Sequence, residues 1–264
     1  MSHKVFILHT RALSDSRLLL ELFEEKLGRL SAVHRVGRRS LGKPQLFHLY
    51  HTELKGKNEL RSAHVLETID SLNLPPGIAS FSGLYLNELL YRLLPKEFAA
   101  QDLFLAYRRA IVSLSKIETY TAGDSKLDKL ATEYVLRRFE LSLFSELGFG
   151  FDIESLSLLV EEDFQSKHYR YDPVSGWQAQ QQLDKKAYDS NATAESSNLD
   201  IREQFSESYY ALHNFNDLQL LRSFLQDPSF SKFYDIHKPL KRLTRLLVDN
   251  LLNGKKLRSR ELFY

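Results

Sequence analysis

Cysteine is absent from the 264 residues, which rules out disulfides, thiolate zinc sites and a thiol nucleophile together. Long apolar runs are absent as well. None approaches the roughly 18 residues a helix needs to cross a bilayer, and Val5-Phe6-Ile7-Leu8 is too short for the core of a secretory signal. A soluble, cytoplasmic protein is the expectation, so Asn191-Ala192-Thr193 is read as a chance match to a glycosylation acceptor. Signatures of catalysis are missing too. The 9 histidines are scattered, with no H-E-x-x-H and no convergent carboxylate pair. No G-x-S-x-G nucleophile elbow occurs. The chain is therefore read as non-enzymatic, with no cofactor and no metal.

What is present is unevenly spread charge. The balance is only +2, yet residues 1–61 carry 12 Lys and Arg against 6 acids, and residues 232–264 carry 9 against 3. Each end is thus +6 and the middle about −10. Two basic ends around an acidic middle suggest a surface for a polyanion, nucleic acid first, assembled from both termini. An apolar fraction of 43%, with 17 Phe and 13 Tyr, is ample for a buried core.

Residues 4–10, 17–24, 29–36, 45–52 and 58–67 are short segments of β-type composition, separated by Ser14-Asp15-Ser16, Leu27-Gly28, residues 37–44 and Lys55-Gly56-Lys57. Five such strands fit a small closed barrel of the OB type. The continuous run Leu18-Leu19-Leu20 departs from alternation, and a three-stranded sheet under a helix is the main alternative. Around Leu74-Pro75-Pro76-Gly77 the period changes. Residues 83–94, 102–115 and 127–147 are helical in length and spacing, the last capped by Gly123-Asp124-Ser125 and stopped at Gly148 and Gly150. Apolar residues cover most of that helix, as in the centre of a core. Residues 169–177 read as a hairpin, and 178–198, rich in Gln, Ser, Asn and Ala, as mobile. Helical period returns at 217–226 and 238–252, with Pro239 suited to a first turn. The fold class is α+β. An OB-type barrel occupies 1–76 and a mainly helical domain 77–264, with a small inserted module at about 150–200.

Gly37-Arg38-Arg39-Ser40-Leu41-Gly42-Lys43 matches half of a P-loop, but Pro44 stands where a magnesium-binding hydroxyl is required and no helix follows. A basic loop contacting nucleic-acid backbone is the better reading. Candidate contacts are Arg11, Arg17, Arg35, Arg38, Arg39, Lys43, Lys55 and Lys57 from the barrel, and Lys238, Lys241, Arg242 and Arg245 from one face of the last helix. Leu240, Leu243, Leu247 and Leu251 take that helix's opposite face. Phe6, Phe47, Tyr50 and Tyr107 are candidates for base stacking, against the ordinary alternative of core packing. His48 and His51, three apart in a strand, point to opposite faces and cannot share a metal. Arg137 and Arg138 lie on the most apolar helix. The plain account of Arg137 is a pair with Glu133 four residues earlier; the alternative is an arginine at the rim of a groove that takes an acidic peptide.

Several segments, in order along nearly the whole chain, resemble the family of the bacterial recombination mediator RecO. They include Val5-Phe6-Ile7-Leu8-His9-Thr10-Arg11, Ser82-Gly83-Leu84-Tyr85-Leu86-Asn87-Glu88-Leu89-Leu90, Leu136-Arg137-Arg138-Phe139-Glu140-Leu141 and Leu257-Arg258-Ser259-Arg260-Glu261-Leu262-Phe263. The resemblance implies an OB domain followed by a helical domain carrying an inserted module. It implies binding and annealing of single- and double-stranded DNA, in the cytoplasm and at the nucleoid. It also implies partnership with RecR and often RecF, and help to RecA on DNA covered by single-strand-binding protein (SSB). The acidic SSB tail is implied to dock on the helical domain at Arg137, Arg138 and Leu141, with Arg137 the best-matched position. Two departures stand out. Many relatives hold zinc through four cysteines in the inserted module, and this chain has none. The stretch between Arg39 and Gln45 is also shorter than in many relatives. The rival function is a protein–protein adaptor whose basic ends meet acidic partners.

Overall fold

Five strands open the chain: β1 Ser2–Ser14, β2 Arg17–Glu24, β3 Gly28–Arg35, β4 Leu49–Lys55 and β5 Leu60–Asp70. The computed structural model describes residues 2–36, 44–56, 60–161, 168–172, 176–180 and 215–263. The strands close into a barrel in the order β1-β2-β3-β5-β4, with β4 returning to β1. Only β3 and β5 run parallel. This is the closed OB-type arrangement, and the open three-stranded alternative does not occur.

The barrel interior is filled by alternate residues of each strand: Val5 and Ile7, Leu18, Leu20 and Leu22, Leu30 and Ala32, Tyr50, and Ala63. Within the unbroken leucines of β2, Leu18 and Leu20 face the interior, whereas Leu19 faces outward and is half-buried. Phe6 and Phe23 are opposite one another and both fully buried. Their rings meet Phe104 at 5.3 and 5.4 Å and Tyr107 at 4.9 and 6.0 Å. β4 begins at Leu49 rather than at residue 45. Phe47 takes a positive φ of 70°, and the Tyr50 hydroxyl binds Gln45 N at 2.9 Å and Gln45 O at 3.2 Å, so residues 45–48 fold into a loop against the strand.

Helices α1 Ile78–Leu93, α2 Gln101–Ser115, α3 Ile117–Thr121 and α4 Ser125–Glu146 follow. Asp124 caps α4 by accepting from Lys126 N at 2.8 Å and Leu127 N at 3.2 Å. Its buried apolar residues, Val135, Leu136, Phe139, Leu143 and Phe144, run from its midpoint to its end, and Leu127 is exposed. α3 has no sequence signature, being a single turn.

Two glycines set close approaches. Gly83 on α1 faces Leu74 and Phe47; a β-carbon there would fall 2.8 Å from Phe47 Cε1. Gly28 opens β3 at φ +74°, and a β-carbon would overlap the backbone carbonyl of Phe98. That segment is held along β3 by Glu97 N to Arg29 O at 2.8 Å and by Arg29 Nε to Leu94 O at 2.8 Å.

The chain falls into two compact units: Met1–Gly148 with Lys255–Tyr264, and Phe149–Gly254. The second contains α5 Ile153–Glu161, a hairpin of β6 His168–Asp172 and β7 Gly176–Gln180, α6 Phe215–Gln226 and α7 Phe230–Leu251. The hairpin was legible, as was α6 to within two residues. The stretch 178–198, expected to be mobile, begins with Gln178-Ala179-Gln180 in β7, and the rest of it lies outside the described residues. Ring packing holds the hairpin: Phe151 meets Tyr171 at 4.7 Å and Trp177 at 5.9 Å, and Tyr171 meets Trp177 at 5.0 Å. Pro239 is inside α7, not in its first turn, because the helix starts at Phe230. Phe233 and Ile236 extend the buried stripe of Leu240, Leu243 and Leu247 upstream of the proline, and that packing outweighs the one lost backbone hydrogen bond. No helix among the described residues is long and apolar enough to cross a membrane.

Gly28→Ala is expected to lower the unfolding free energy by more than about 2 kcal/mol, combining left-handed strain with a clash against immobile backbone. Gly83→Ala, which meets movable side-chain ends, is expected to cost less; chemical denaturation of both variants checks the ranking.

Candidate nucleic-acid interface

The outward residues of the barrel divide into two halves. On β2 the outward series is Arg17, Leu19, Glu21 and Phe23, and on β3 it is Arg29, Ser31, Val33 and Arg35. The half beginning at Glu21 is closed. Glu21 accepts from Ser31 Oγ at 2.6 Å and Arg29 Nη1 at 3.2 Å, and Arg29 also lies 5.4 Å from the Tyr91 ring of α1.

The other half is open and cationic. Register places Arg11 opposite Leu19, Leu19 opposite Val33, Val33 opposite Ser62 and Ser62 opposite Lys55, giving one row across four neighbouring strand pairs. Arg17 and Arg35 face each other in the next row. Arg11, Arg17, Arg35 and Lys55 are all exposed, and none forms an ion pair with a described residue. Like charges directly opposite on a sheet repel, so an arriving phosphate relieves a repulsion already present. Arg38, Arg39, Lys43 and Lys57 lie outside the described residues, in the stretches that follow Arg35 and Lys55 in sequence. Three other cations of the first 61 residues are paired: Arg29 with Glu21, Arg61 with Glu97 at 2.6 Å and Lys4 with Glu25 at 3.6 Å; Lys26 is exposed in the turn after β2. Of the stacking candidates, Phe6, Tyr50 and Tyr107 are buried core and Phe47 is half-buried against Gly83. His48 is held by Asn73 at 3.1 Å and His51 by Ser2 at 3.1 Å, and no metal-binding cluster occurs among the described residues.

In the second unit, α7 presents Lys238, Arg242 and Arg245 to solvent, with Lys241 half-buried beside them. Leu240, Leu243 and Leu247 are buried on the opposite side, and Leu251 is half-buried. The helix therefore carries the amphipathic arrangement its spacing foretold. The two basic groups belong to different units.

α2 and α4 enclose a groove of about 150 Å³ with Ala106, Ala110, Val135 and Phe139 among its walls, and Arg109, Tyr134 and Arg138 at its polar margin. Arg138 is exposed, lies 5.7 Å from the Tyr134 ring and donates to its hydroxyl at 3.1 Å. Arg109, also exposed, was missed by sequence reasoning, because nothing local marks it as facing α4. Leu141 is half-buried and does not line the groove. Arg137 points elsewhere: it is 3% exposed, with Nη2 donating to Glu140 Oε1 at 2.6 Å. Its partner three residues on, Glu140, is fully buried.

This pair is part of a polar network centred on α1. The Tyr85 hydroxyl donates to Glu140 Oε1 at 2.7 Å, and burial together with that carboxylate pushes the phenol strongly upward. Asn87 donates to Leu8 O at 3.0 Å and accepts from the Tyr107 hydroxyl at 2.5 Å. Glu88 binds the closing 3-10 turn, Arg258–Phe263, accepting from Ser259 N and Oγ at 2.8 Å each and Arg258 N at 3.2 Å. Burial alone would raise the Glu88 carboxyl; these donors outweigh it and hold it below the ordinary range.

Among known proteins, the chain is 32% identical to the DNA repair protein RecO of Shigella flexneri over 265 residues, covering 98% of this chain and 92% of that one. It is 31% identical to the DNA repair protein RecO of Salmonella schwarzengrund, with the same coverage, and 30% identical to that of Aliivibrio salmonicida, over 98% of this chain and 94% of the relative. No family model matches the chain.

Removing Arg137 strands Glu140 in a buried site. Arg137→Ala is expected to destabilise the protein by about 3–5 kcal/mol, as for a broken buried ion pair, whereas Arg138→Ala changes stability by less than about 0.5 kcal/mol; denaturant titrations of both distinguish the two neighbours.

Proposed function

The chain belongs to the family of the DNA repair protein RecO, and from that premise we propose that it acts as a DNA-binding mediator of repair and recombination. In this reading it is not an enzyme. It binds single- and double-stranded DNA in the cytoplasm and at the nucleoid, and brings complementary strands together. With RecR, and with RecF where that protein participates, it helps RecA load on DNA covered by SSB. The observation that carries the proposal is the open barrel face, where Arg11, Arg17, Arg35 and Lys55 are exposed and form no ion pair with a described residue. Such a face tracks phosphates rather than base edges, which suits a protein that handles any sequence. Arg38, Arg39, Lys43 and Lys57, which lie outside the described residues, remain candidate contacts by sequence alone, and the exposed cations of α7 supply a second contact.

Phosphate contact makes the affinity salt-dependent. With about six phosphates neutralised, log affinity falls against log salt with a slope near −4 to −5. Replacing Arg11, Arg17 and Arg35 together by Ala is expected to flatten that slope by about 2 to 3 without loss of folding. Fluorescence anisotropy with a labelled oligonucleotide reads it, and an unchanged slope removes the barrel face as the contact.

The groove between α2 and α4 supports the partner part of the proposal. Its apolar walls and two exposed guanidiniums suit the acidic C-terminal tail of SSB: apolar side chains of the tail enter between Ala106 and Phe139, and carboxylates meet Arg138 and Arg109. Arg137 then acts from beneath, by fixing Glu140 and the second half of α4. Arg138→Ala is expected to weaken binding of a tail peptide about tenfold or more while leaving DNA affinity within twofold. Calorimetry showing equal peptide binding would reject the groove.

A further inference from the structure

Tyr234, the one tyrosine on α7, is 62% exposed although its neighbour Phe233 is fully buried. A single exposed aromatic is ordinary; its alignment is not. Phe233, Ile236, Leu240 and Leu243 fix the rotation of α7 by facing the core. Four residues advance a helix by one turn plus about 40°, so Tyr234, Lys238, Arg242 and Arg245 fall on the same solvent face. Lys238, Arg242 and Arg245 are exposed there, and none forms an ion pair with a described residue. From Tyr234 to Arg245 the rise is about 16 Å at about 1.5 Å per residue, enough to lie beside roughly five phosphates of a stacked strand. Asp235, the nearest acid in sequence, is exposed about 100° around the helix from Tyr234, at the Arg242 edge of the stripe.

We propose that Tyr234 is a base-stacking platform at the head of this cationic stripe, so that α7 binds single strands through one ring and several phosphates. The proposal rests on the nucleic-acid reading of α7 and deepens it. Cations alone hold single and double strands alike; a solvent-facing ring adds a contact that only an unpaired, unstacked base can satisfy. The Tyr234 ring is flanked by the His237 ring at 6.1 Å, tilted by 42°, rather than covered by it.

The test compares two labelled probes of equal length in anisotropy titrations of the full chain: oligo(dT), and an abasic deoxyribose-phosphate strand that keeps the phosphates and lacks every base. The unaltered protein is expected to prefer oligo(dT). Tyr234→Ala is expected to reduce that preference by about fivefold or more with abasic affinity unchanged, and Tyr234→Phe to retain it. If Tyr234→Ala keeps the full preference, the ring is not a platform, while the nucleic-acid reading stands. If it weakens both probes equally, its effect is not stacking and the proposal falls. If neither probe binds the unaltered protein, the proposal and the reading beneath it fall together.

Discussion

Three polar side chains pointing inward from one turn of α1 connect most of the first unit. Tyr85 reaches Glu140 and through it Arg137 on α4; Asn87 reaches the backbone of β1 and the hydroxyl of Tyr107 on α2; Glu88 reaches the closing 3-10 turn. A buried polar group tolerates few alternatives, because each lost partner leaves a desolvated donor or acceptor. Hydrophobic burial makes the unit stable, but Leu and Phe contacts are forgiving of small slips. The hydrogen bonds of α1 are not, and they set which residues of β1, α2 and α4 lie level with one another.

The barrel wall shows how that anchoring leaves room for function. Every strand has one face committed to the interior, so its period of two leaves the other face to be assigned by what covers it. Near Phe6, Phe23 and Glu21 the cover is α1 and α2, and the outward residues are aromatic or paired. Past Leu19 the cover ends, and the same series continues as Arg17 and Arg35. One strand thus serves the core at one end and a polyanion at the other.

How much of this was legible in the sequence depended on range. β2, the barrel class, the Asp124 cap and the α7 amphipathic pattern are local or periodic, and were readable. The start of β4 was not, because the loop at residues 45–48 is held by a hydroxyl on the strand itself rather than by turn residues. Pro239 misled because its first-turn preference is local, whereas the position of Phe233 and Ile236 against the core is not. Arg137 and Arg138, adjacent and identical in type, could not be told apart by spacing. One is bound to a buried carboxylate three residues on and the other borders a groove whose second arginine, Arg109, comes from a different helix. The segments that carried the family resemblance turn out to be largely those that supply the α1 network.

The first unit is discontinuous: residues 149–254 form a separate body before Lys255–Tyr264 rejoin α1. On a ribosome adding about 5–20 residues per second, the 106 residues between must be made before Ser259 can reach Glu88, a delay on the order of 5–20 seconds. During that interval the nascent barrel and α1–α4 stand with one carboxylate still waiting for its donors. Vectorial synthesis therefore makes the closing turn the latch of the molecule, set last and only after the interposed body has left the exit tunnel.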